Sequence, residues 1–259
     1  MRMKKIEGPQ QDAVAPMPVP ARRWRAGQWR DIEEAAARDL SLRILHQGGE
    51  IRLWACPHEC AELAAGHVLL DCLHDAAPDC PSPRGLPSVE VREQDGVWRV
   101  TLLPSASVPR TEAESFAALR PADMLAYMAE FIRFPGFWGG TSCHHRAALL
   151  HAATGRFARV AEDIGRHNCL DRLAGHIALS GGSGRMDPAQ YILFVTARIS
   201  AGLYCKARRL GVPCIVSRTA VTSTSVELAQ RQGVALIGFC RPEEERFTVF
   251  NDPQGRFAA

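Results

Sequence analysis

The chain of 259 residues is poor in lysine and contains no C-x-x-C cysteine pair. Only three of its 31 basic residues are lysines, so arginine carries nearly all of the positive charge. No apolar run approaches the roughly 18 residues that a membrane span needs. The N-terminal segment also lacks the apolar stretch of a secretory signal. From these absences we expect no membrane span and a cytoplasmic location.

The nine cysteines are odd in number and irregularly spaced. This pattern indicates reduced thiols rather than a disulfide framework. A zinc site around Cys56-Pro-His-Glu-Cys60, with His67 and Cys72 nearby, is the alternative for part of the set. Three residues separate Cys56 from Cys60, and the start of a helix would separate the later ligands. We therefore predict no metal site.

Positive charge is concentrated at the N-terminal end of the chain. Residues 1–30 contain seven basic and two acidic residues with four prolines, whereas residues 31–259 contain 24 basic and 26 acidic residues. We predict a flexible basic leader over 1–30, and binding of an acidic partner by this leader stays open. Nucleic-acid-binding proteins usually carry their basic surplus on the folded domain, so we expect no nucleic acid partner.

Residues 31–112 have the pattern of a smaller β-rich domain with one helix. Two pairs of strand patterns flank Gly48-Gly49 and Asp95-Gly96, which are residues that hairpin turns favour because they tolerate positive φ. The predicted strands are 40–45, 50–55, 88–92 and 97–103, and the predicted helix is 58–73.

Residues 113–259 alternate strand and helix patterns after a linker helix at 121–134. Such alternation indicates an α/β domain with a mostly parallel sheet covered on both faces. The last two strands are separated by a charged turn, so they could be antiparallel. The predicted strands are 147–152, 157–162, 191–197, 214–217, 235–239 and 247–250, and the predicted helices between them are 167–180, 200–210 and 224–232.

Arginine follows most of these strands, and several neighbouring helix starts carry Ser, Thr or Asn. Ligands of open α/β sheets bind beyond the carboxyl ends of the strands. Guanidinium groups grip phosphate, and helix N-termini add N–H donors. We therefore predict an anionic, phosphate-rich ligand at this edge, with structural arginine–acid pairs as the alternative. The candidate residues are Arg166, Arg198, Arg218, Thr222, Ser223, Cys240, Arg241 and Arg246.

The segment from Asp163 to Asp171 gathers polar side chains around one glycine. Gly165 permits close approach of the backbone, while the two aspartates can orient the neighbouring donors. We interpret the segment as functional, and a helix-capping turn is the alternative. The candidate residues are Asp163, Gly165, Arg166, His167, Asn168 and Asp171.

Cys143 lies beside two histidines in the segment Thr141-Ser-Cys-His-His145. Either histidine could lower the pKa of the thiol and favour the thiolate, which attacks sulfur and carbon electrophiles. An ordinary loop cysteine is the alternative interpretation.

These segments resemble the formate dehydrogenase accessory sulfurtransferase family, FdhD. Its blocks T-G-G-x-H-x-A, E-D-x-G-R-H-N-A-x-D-K, S-G-R-x-S, S-x-x-A-P-T-S-x-A-V-E-L-A and G-F-x-R have counterparts in the same order. The resemblance extends over about 37–259, and the central D-x-G-R-H-N block is the most specific. The counterparts are 141–145, 162–172, 196–200, 217–229 and 238–241.

The resemblance implies a cytidine-deaminase-like three-layer α/β domain over 113–259. It also implies sulfur transfer to bis-molybdopterin guanine dinucleotide, with GDP as a partial mimic. The implied partners are a cysteine desulfurase, formate dehydrogenase or another molybdoenzyme, and a second copy in a homodimer. Deaminase chemistry is not expected, because the H-x-E and P-C-x-x-C zinc signature is absent. The resemblance adds His145, Ser217 and Phe239 to the predicted cofactor-binding residues.

Two departures from the family pattern leave the mechanism open. The family carries persulfide on a C-x-x-C loop, but this chain has no cysteine between Cys80 and Cys143. The family's T-G-G is replaced by Thr141-Ser142-Cys143. Our first hypothesis is a molybdenum-cofactor maturation factor that carries sulfur on Cys143. The alternatives are a non-catalytic cofactor chaperone or insertion factor and a regulatory protein that binds a free guanine nucleotide, so whether the protein is an enzyme stays open.

Overall fold

The computed structural model describes residues 14–74, 86–103, 119–180 and 185–257. The strands are β1 (Met17–Arg25), β2 (Gln28–Ala36), β3 (Leu40–His46), β4 (Gly49–Ala55), β5 (Val89–Gln94), β6 (Val97–Leu102), β7 (His145–His151), β8 (Arg156–Asp163), β9 (Tyr191–Val195), β10 (Cys214–Ser217), β11 (Ala235–Arg241) and β12 (Arg246–Asn251). The helices are α1 (Cys60–His67), α2 (Pro121–Arg133), α3 (Arg166–Leu179), α4 (Ala201–Leu210) and α5 (Ser223–Gln232). Helix α1 continues into a π-helical turn, Val68–Cys72. None of the helices in the described ranges is long and apolar enough to cross a bilayer.

The central sheet has six strands in the order β12-β11-β10-β9-β7-β8. Strands β9, β10 and β11 are parallel, whereas β7, β8 and β12 each pair antiparallel with a neighbour. The predicted antiparallel final pair is confirmed, but the prediction of a mostly parallel sheet is wrong. A connection as short as that between β7 and β8 forces an antiparallel hairpin, because a parallel pair needs a long crossover.

Hydrophobic clusters cover both faces of the central sheet. Met124, Met128 and Phe131 of α2 pack against Leu150 and Phe194 on one face. On the other face, the intervening residues of the same strands, Leu149 and Leu193 among them, pack with helices α3, α4 and α5. Side chains alternate between the faces of a strand, so continuous apolar runs can serve both clusters. The structure thus confirms a mixed α/β fold with helices on both sides.

The N-terminal helix α1 shares one core with α3. A Cβ on Gly66 would lie 1.7 Å from the carbonyl oxygen of Asp171, and a Cβ on Gly175 would lie 1.8 Å from that of Glu62. Only glycine permits this close approach of two helix backbones. The two predicted domains therefore join in one hydrophobic cluster, while their predicted boundary at 112–113 lies outside the described residues.

The two predicted hairpins of the N-terminal half form a four-stranded sheet in the order β4-β3-β6-β5. Both hairpins are confirmed, with residues 46 and 49 paired at one turn and residues 94 and 97 at the other. A parallel pairing of β3 with β6 joins them, which local patterns did not predict. This sheet and α1 pack into the hydrophobic cluster on the face of the central sheet that α3, α4 and α5 cover.

A further hairpin, β1–β2, occupies residues for which a flexible leader was predicted. The two strands pair over nine positions and turn at Ala26-Gly27, both with positive φ. The leader prediction is therefore wrong for residues 17–30, while residues 1–13 lie outside the described ranges. It relied on prolines, but proline is compatible with an edge strand because its missing N–H need not serve a ladder.

Candidate functional site

The predicted ligand-binding residues come together along one edge of the central sheet. The carboxyl ends of β9, β10 and β11 meet there because the three strands are parallel. The antiparallel neighbours bring the start of β7 and the end of β8 to the same edge, with His145 opposite Asp163. At the other end Arg241 lies opposite Arg246. Five strand spacings make the edge about 24 Å long.

One end of this edge, which we call the histidine corner, consists of Cys143, His145, Arg166, His167 and Arg198. Burial lowers the pKa of His145, and the nearby charges of Arg166 and Arg198 lower it further. Burial, followed by Lys206 and Arg166, also lowers the pKa of His167. Both imidazoles are therefore neutral at pH 7. Arg166 and Arg198 are exposed, and neither has a carboxylate partner among the described residues.

Cys143 has an exposed, free thiol two residues before β7. The preceding residue, Ser142, has a φ of 58°, in the left-handed region that favours glycine. Ser142 thus holds a backbone conformation that the family's glycine would adopt without strain. The loop presents the thiol at the sheet edge, where a partner protein or ligand can reach it.

The loop before Cys143 is fixed by a buried ion pair that the sequence analysis missed. The Glu162 carboxylate accepts hydrogen bonds from the amides of Phe137 at 2.6 Å and Trp138 at 2.9 Å. Arg146 donates to the same carboxylate at 2.8 Å and to the carbonyl of Phe134 at 2.8 Å. Because both charged groups are buried, the pair anchors the loop firmly. The sequence did contain a signal for this ion pair, because Glu162 belongs to the central sequence block 162–172.

The histidine next to Cys143 differs from its predicted role. His144 is buried against the ring of Phe137, which also contacts His58. Burial lowers the pKa of His144, and burial followed by the charge of Arg172 lowers that of His58 to about 3. Since His144 and His145 are neutral at pH 7, they do not provide the positive charge that was expected to favour a thiolate at Cys143.

The Asp163 side chain lies inside the protein rather than at the surface of the edge. It pairs with Arg172 at 2.5 Å, and neither side chain is exposed. Its other oxygen accepts hydrogen bonds from the Gly165 amide and from Asn168 Nδ2, both at 2.9 Å. Asn168 also donates to the carbonyl of Trp54 at 2.9 Å. Asp163 and Asn168 thus shape the turn before α3 and bind β4 to it, although no side chain among the described residues caps the first turn of the helix.

Asp171 forms a second buried network behind the histidine corner. Lys206 Nζ lies 2.8 Å from both Asp171 and Asp71, and His67 Nδ1 lies 3.3 Å from Asp171. Burial alone would lower the pKa of His67, but hydrogen bonds to Asp171 and Cys72 raise it to about 9. His67, Asp71 and Asp171 also have the spacing of metal ligands. The Lys206 ammonium supplies positive charge to the same carboxylates.

Ser217 and Cys240 also face the interior. Ser217 Oγ donates to the carbonyl of Ala197 at 2.8 Å and accepts from the Thr219 amide at 2.9 Å. Burial raises the pKa of the Cys240 thiol to about 12. The structure therefore corrects the predicted direct contact for five buried side chains, which support the edge from inside. They are Asp163, Asn168, Asp171, Ser217 and Cys240.

The other end of the edge, which we call the arginine–glutamate cluster, consists of Arg218, Phe239, Arg241, Glu243, Glu244 and Arg246. Arg218 pairs with Glu243, and Glu244 pairs with Arg241 at 2.6 Å and with Arg246 at 2.5 Å. Two of these guanidinium groups also lie 5.6 and 5.5 Å from the Phe239 ring centre. The structural ion pairs weighed as an alternative therefore exist at this end.

The remaining predicted residues lie at helix starts. Thr222 and Ser223 are exposed at the beginning of α5, where Ser225 Oγ accepts from the Thr222 amide at 3.1 Å. Gly165 precedes α3, and a Cβ there would lie 2.8 Å from Asn168 Nδ2. The close approach predicted at Gly165 is thus made by a side chain of the protein.

Known proteins resemble this chain over most of its length. The FdhD/NarQ family model matches residues 37–257. The sulfur carrier protein FdhD of Methanothermobacter thermautotrophicus is 28% identical over 243 residues, which are 87% of this chain and 92% of that protein. The sulfur carrier protein FdhD of Chromobacterium violaceum is 35% identical over 146 residues, which are 56% of this chain and about half, 52%, of that protein.

A solved structure supports the same relationship at the level of the fold. It is assigned as a formate dehydrogenase accessory protein from Desulfotalea psychrophila, and its TM-score with this chain is 0.73 at 25% identity. The match covers 94% of this chain and 99% of that one. The likeness therefore includes the described sheets and helices together.

Proposed function

The chain belongs to the FdhD/NarQ family, and we propose that it carries sulfur on Cys143 for the maturation of a molybdenum cofactor. The single observation that supports this best is the exposed, free Cys143 thiol at the histidine corner. The curated relatives are named sulfur carrier proteins. This chain lacks the C-x-x-C pair of the family, and in our proposal Cys143 takes over its role.

The sulfur-loading step needs only the Cys143 thiol and a persulfide donor, which we propose is a cysteine desulfurase. The Cys143 thiolate attacks the terminal sulfur of the donor persulfide, and the donor's cysteine leaves as a thiolate. The Cys143 proton passes to solvent or to the leaving thiolate. One sulfur–sulfur bond breaks and one forms, so no external oxidant is required. The exposure of the thiol suits docking of a protein donor.

We assign the cargo as bis-molybdopterin guanine dinucleotide, because its two arms carry phosphates that arginine can bind. Arg166 and Arg198 at the histidine corner are exposed and without carboxylate partners among the described residues, so they are the first phosphate ligands. His145 and His167 are neutral donors or acceptors for the reacting end. Formate dehydrogenase or another molybdoenzyme is the client. A homodimer and a cytidine-deaminase-like relationship of the fold belong to the same proposal.

The loading test is mass spectrometry of the intact protein after incubation with a cysteine desulfurase and cysteine. We expect wild type to gain the mass of one sulfur atom and Cys143→Ser to gain none. Cys60→Ser is the matched control, because Cys60 is a half-buried thiol in the same part of the molecule. Equal labelling of wild type and Cys143→Ser would show that another cysteine carries the sulfur.

The absence of a C-x-x-C pair also supports a second candidate, a cofactor chaperone that transfers no sulfur. This protein would use the same arginines but would leave Cys143 unlabelled. Titration calorimetry with GDP and with the intact cofactor separates the candidates. Tight cofactor binding without sulfur labelling supports the chaperone, whereas equal affinities for GDP and cofactor would count against any molybdopterin role.

A further inference from the structure

The hairpin β1–β2, residues 17–36, forms a ribbon whose side chains are mostly exposed. At its tip, residues 22–30, every residue is exposed. The FdhD/NarQ match begins at residue 37, so the ribbon precedes the part of the chain that the family model describes. A two-stranded hairpin by itself is only marginally stable in water. Contact with a partner would therefore order this ribbon further.

Two exposed tryptophans lie side by side on one face of the tip. Trp24 and Trp29 are register partners that are 56% and 58% exposed, and their ring centres lie 5.5 Å apart. The guanidinium of Arg22 lies 5.2 Å from the centre of the Trp29 ring. Tryptophan and arginine are enriched among the residues that contribute most to protein–protein binding. This face therefore has the composition of a protein-binding surface.

The opposite face of the tip is basic. Arg23 lies directly opposite Arg30 in the register, and Arg25 is on the same face because side chains alternate along a strand. Arg23 pairs with Glu34, whereas Arg25 and Arg30 are exposed and have no carboxylate partner among the residues that the structure describes. Like charges directly opposite each other destabilise a hairpin. An acidic surface on a partner would relieve this repulsion.

Positive charge on the ribbon is confined to its tip. Residues 22–30 contain four arginines and no acid, whereas residues 31–36 contain Asp31, Glu33 and Glu34 and no base. A nucleic acid strand that followed the ribbon would meet these carboxylates, because its backbone carries a charge at every nucleotide. An acidic patch on a folded protein can contact the tip alone. The charge pattern therefore favours a protein partner.

The ribbon is attached beside the histidine corner. Three residues after the ribbon, β3 begins, and its second residue, Ser41, is paired with Trp54 of β4. The Trp54 carbonyl accepts a hydrogen bond from Asn168 Nδ2 at 2.9 Å. Asn168 belongs to the first turn of α3, which also carries two residues of the histidine corner, Arg166 and His167. These contacts connect the attached end of the ribbon to the corner.

We infer that the ribbon is a docking arm for the protein that delivers sulfur to Cys143, and that its tip binds an acidic patch on this donor. The inference rests on the proposed function, since it names the surface that recruits the donor. The donor must bring its persulfide to the exposed thiol at the histidine corner. Strands of nine residues make the ribbon about 30 Å long, which is roughly the diameter of a small domain. A ribbon attached beside the corner can therefore contact a donor docked there.

Loading of Cys143 by a protein donor and by a small donor tests the docking arm. The full-length chain receives sulfur from the organism's own cysteine desulfurase with cysteine, or from glutathione persulfide, and peptide mass spectrometry follows the sulfur on Cys143. The desulfurase is kept dilute so that docking limits the rate. We expect Arg25→Glu/Arg30→Glu to lower the rate with the desulfurase about tenfold relative to the rate with glutathione persulfide, because the charge attraction that accelerates docking is reversed.

Arg92→Glu/Arg99→Glu is the matched control. Arg92 and Arg99 are exposed and face each other across the hairpin β5–β6. Arg99 is paired with Leu45, near the end of β3 that is farther from the ribbon. The control makes the same change of net charge away from the ribbon, so it should keep the wild-type ratio of the two loading rates.

The test variant is expected to keep the ribbon folded. Arg30→Glu replaces the like-charge pair with Arg23 by a pair of opposite charges, which favours the hairpin. Trp24→Ala is a second variant that leaves the charge unchanged. It should lower the ratio of the two rates in the same direction, because it removes part of the exposed aromatic surface.

The outcomes separate the docking arm from the proposed function. If both donors load Cys143 but the ratio of the two rates is unchanged in Arg25→Glu/Arg30→Glu, this inference alone fails. Loading of wild type by glutathione persulfide alone would also overturn it. If Cys143 takes sulfur from neither donor, the proposed function fails and the docking role with it.

Two further measurements identify other occupants of the tip. Fluorescence anisotropy measures binding of a labelled single-stranded oligonucleotide, and size-exclusion chromatography measures the oligomeric state. We expect wild type and Arg25→Glu/Arg30→Glu to behave alike in both. An unchanged loading ratio together with loss of oligonucleotide binding in the variant would assign the tip to a nucleic acid instead. An unchanged ratio with an altered oligomeric state would assign it to a second copy of this chain.

Discussion

Arginine has different partners at the two ends of the sheet edge. At the histidine corner, Arg166 and Arg198 are exposed and have no carboxylate partner in the described part of the chain. At the arginine–glutamate cluster, glutamates neutralise all three arginines. The two aspartates behind the histidine corner, Asp163 and Asp171, are by contrast buried and paired with Arg172 and Lys206. An anionic ligand would therefore meet arginines without carboxylate partners, among the described residues, at the histidine corner. At the arginine–glutamate cluster it would meet arginines that are already paired with glutamates.

The ion pairs at the two ends of the edge differ in burial and therefore in their contribution to stability. The buried pairs behind the histidine corner hold backbone and helix starts in place, so removing one partner would leave an uncompensated charge in the interior. The pairs of the arginine–glutamate cluster are partly exposed, and solvent makes each of them weak. We expect an anionic ligand to compete with the glutamates for these arginines. The following four predictions test the difference between the two ends, in order of decreasing effect.

Asp163→Asn is expected to cause the largest change. The substitution keeps a hydrogen-bonding side chain but leaves the fully buried Arg172 without its counter-charge, which costs about 3–5 kcal/mol in the free energy of unfolding. Urea denaturation measures the loss. Glu243→Gln is the matched control at the other end, and its loss should stay below about 1 kcal/mol because its pair with Arg218 is partly exposed. Similar losses for both variants would remove the distinction between the two ends.

His67→Gln tests the second buried network through its pH dependence. The pKa of His67 is about 9 in the folded protein, compared with about 6.5 in an unfolded chain. A raised folded pKa gives stability that is fully present below about pH 6.5 and is lost as pH rises through about 9. Wild type should therefore lose roughly 2–3 kcal/mol more than His67→Gln between these values.

Urea denaturation of both proteins at several pH values measures this difference. Ionisation of buried thiols in the unfolded state affects wild type and variant alike, so subtraction removes it. Parallel stability curves for the two proteins would mean that His67 is not protonated in the folded state at neutral pH.

Arg166→Gln and Arg198→Gln test whether the free arginines bind an anionic ligand. Each substitution removes a charge-assisted contact, and we expect GDP affinity to fall about tenfold in calorimetry. Arg218→Gln is the matched variant at the arginine–glutamate cluster, where the loss should be about threefold because part of the contact is already made with Glu243. A larger loss at Arg218 would reverse the assignment of the two ends.

Local patterns predicted much of the fold that carries this edge. The strand at 214–217 and the starts and ends of α3 and α4 lie within one residue of their predicted limits, because apolar periodicity and capping residues act over short distances. The position of the candidate site at this edge was predicted from the rule that ligands of open α/β sheets bind beyond the carboxyl ends of the strands. The hairpin at 17–36 was missed because its prolines were read as signs of a loop.

The burial of Asp163 and Asp171 was not predictable from local patterns. Whether an aspartate near a strand end faces solvent depends on which helix packs over it, and that depends on contacts between distant residues. Asp171 is buried because Lys206, 35 positions later, points into the same interface. The glutamates of the arginine–glutamate cluster were visible in the sequence, since Glu243 and Glu244 follow Arg241 within three residues.

Glu244→Gln is expected to have the smallest and most discriminating effect. The substitution releases both Arg241 and Arg246 from a carboxylate that now holds them at 2.6 and 2.5 Å. If these arginines serve as phosphate ligands once freed, GDP affinity should rise about threefold, because the ligand no longer competes with an internal anion. Calorimetry measures the change, and Glu245→Gln is the control because its carboxylate has no ion pair among the described residues. Unchanged or weaker binding in Glu244→Gln would mean that this cluster only holds β11 and β12 together and that the ligand site is confined to the histidine corner.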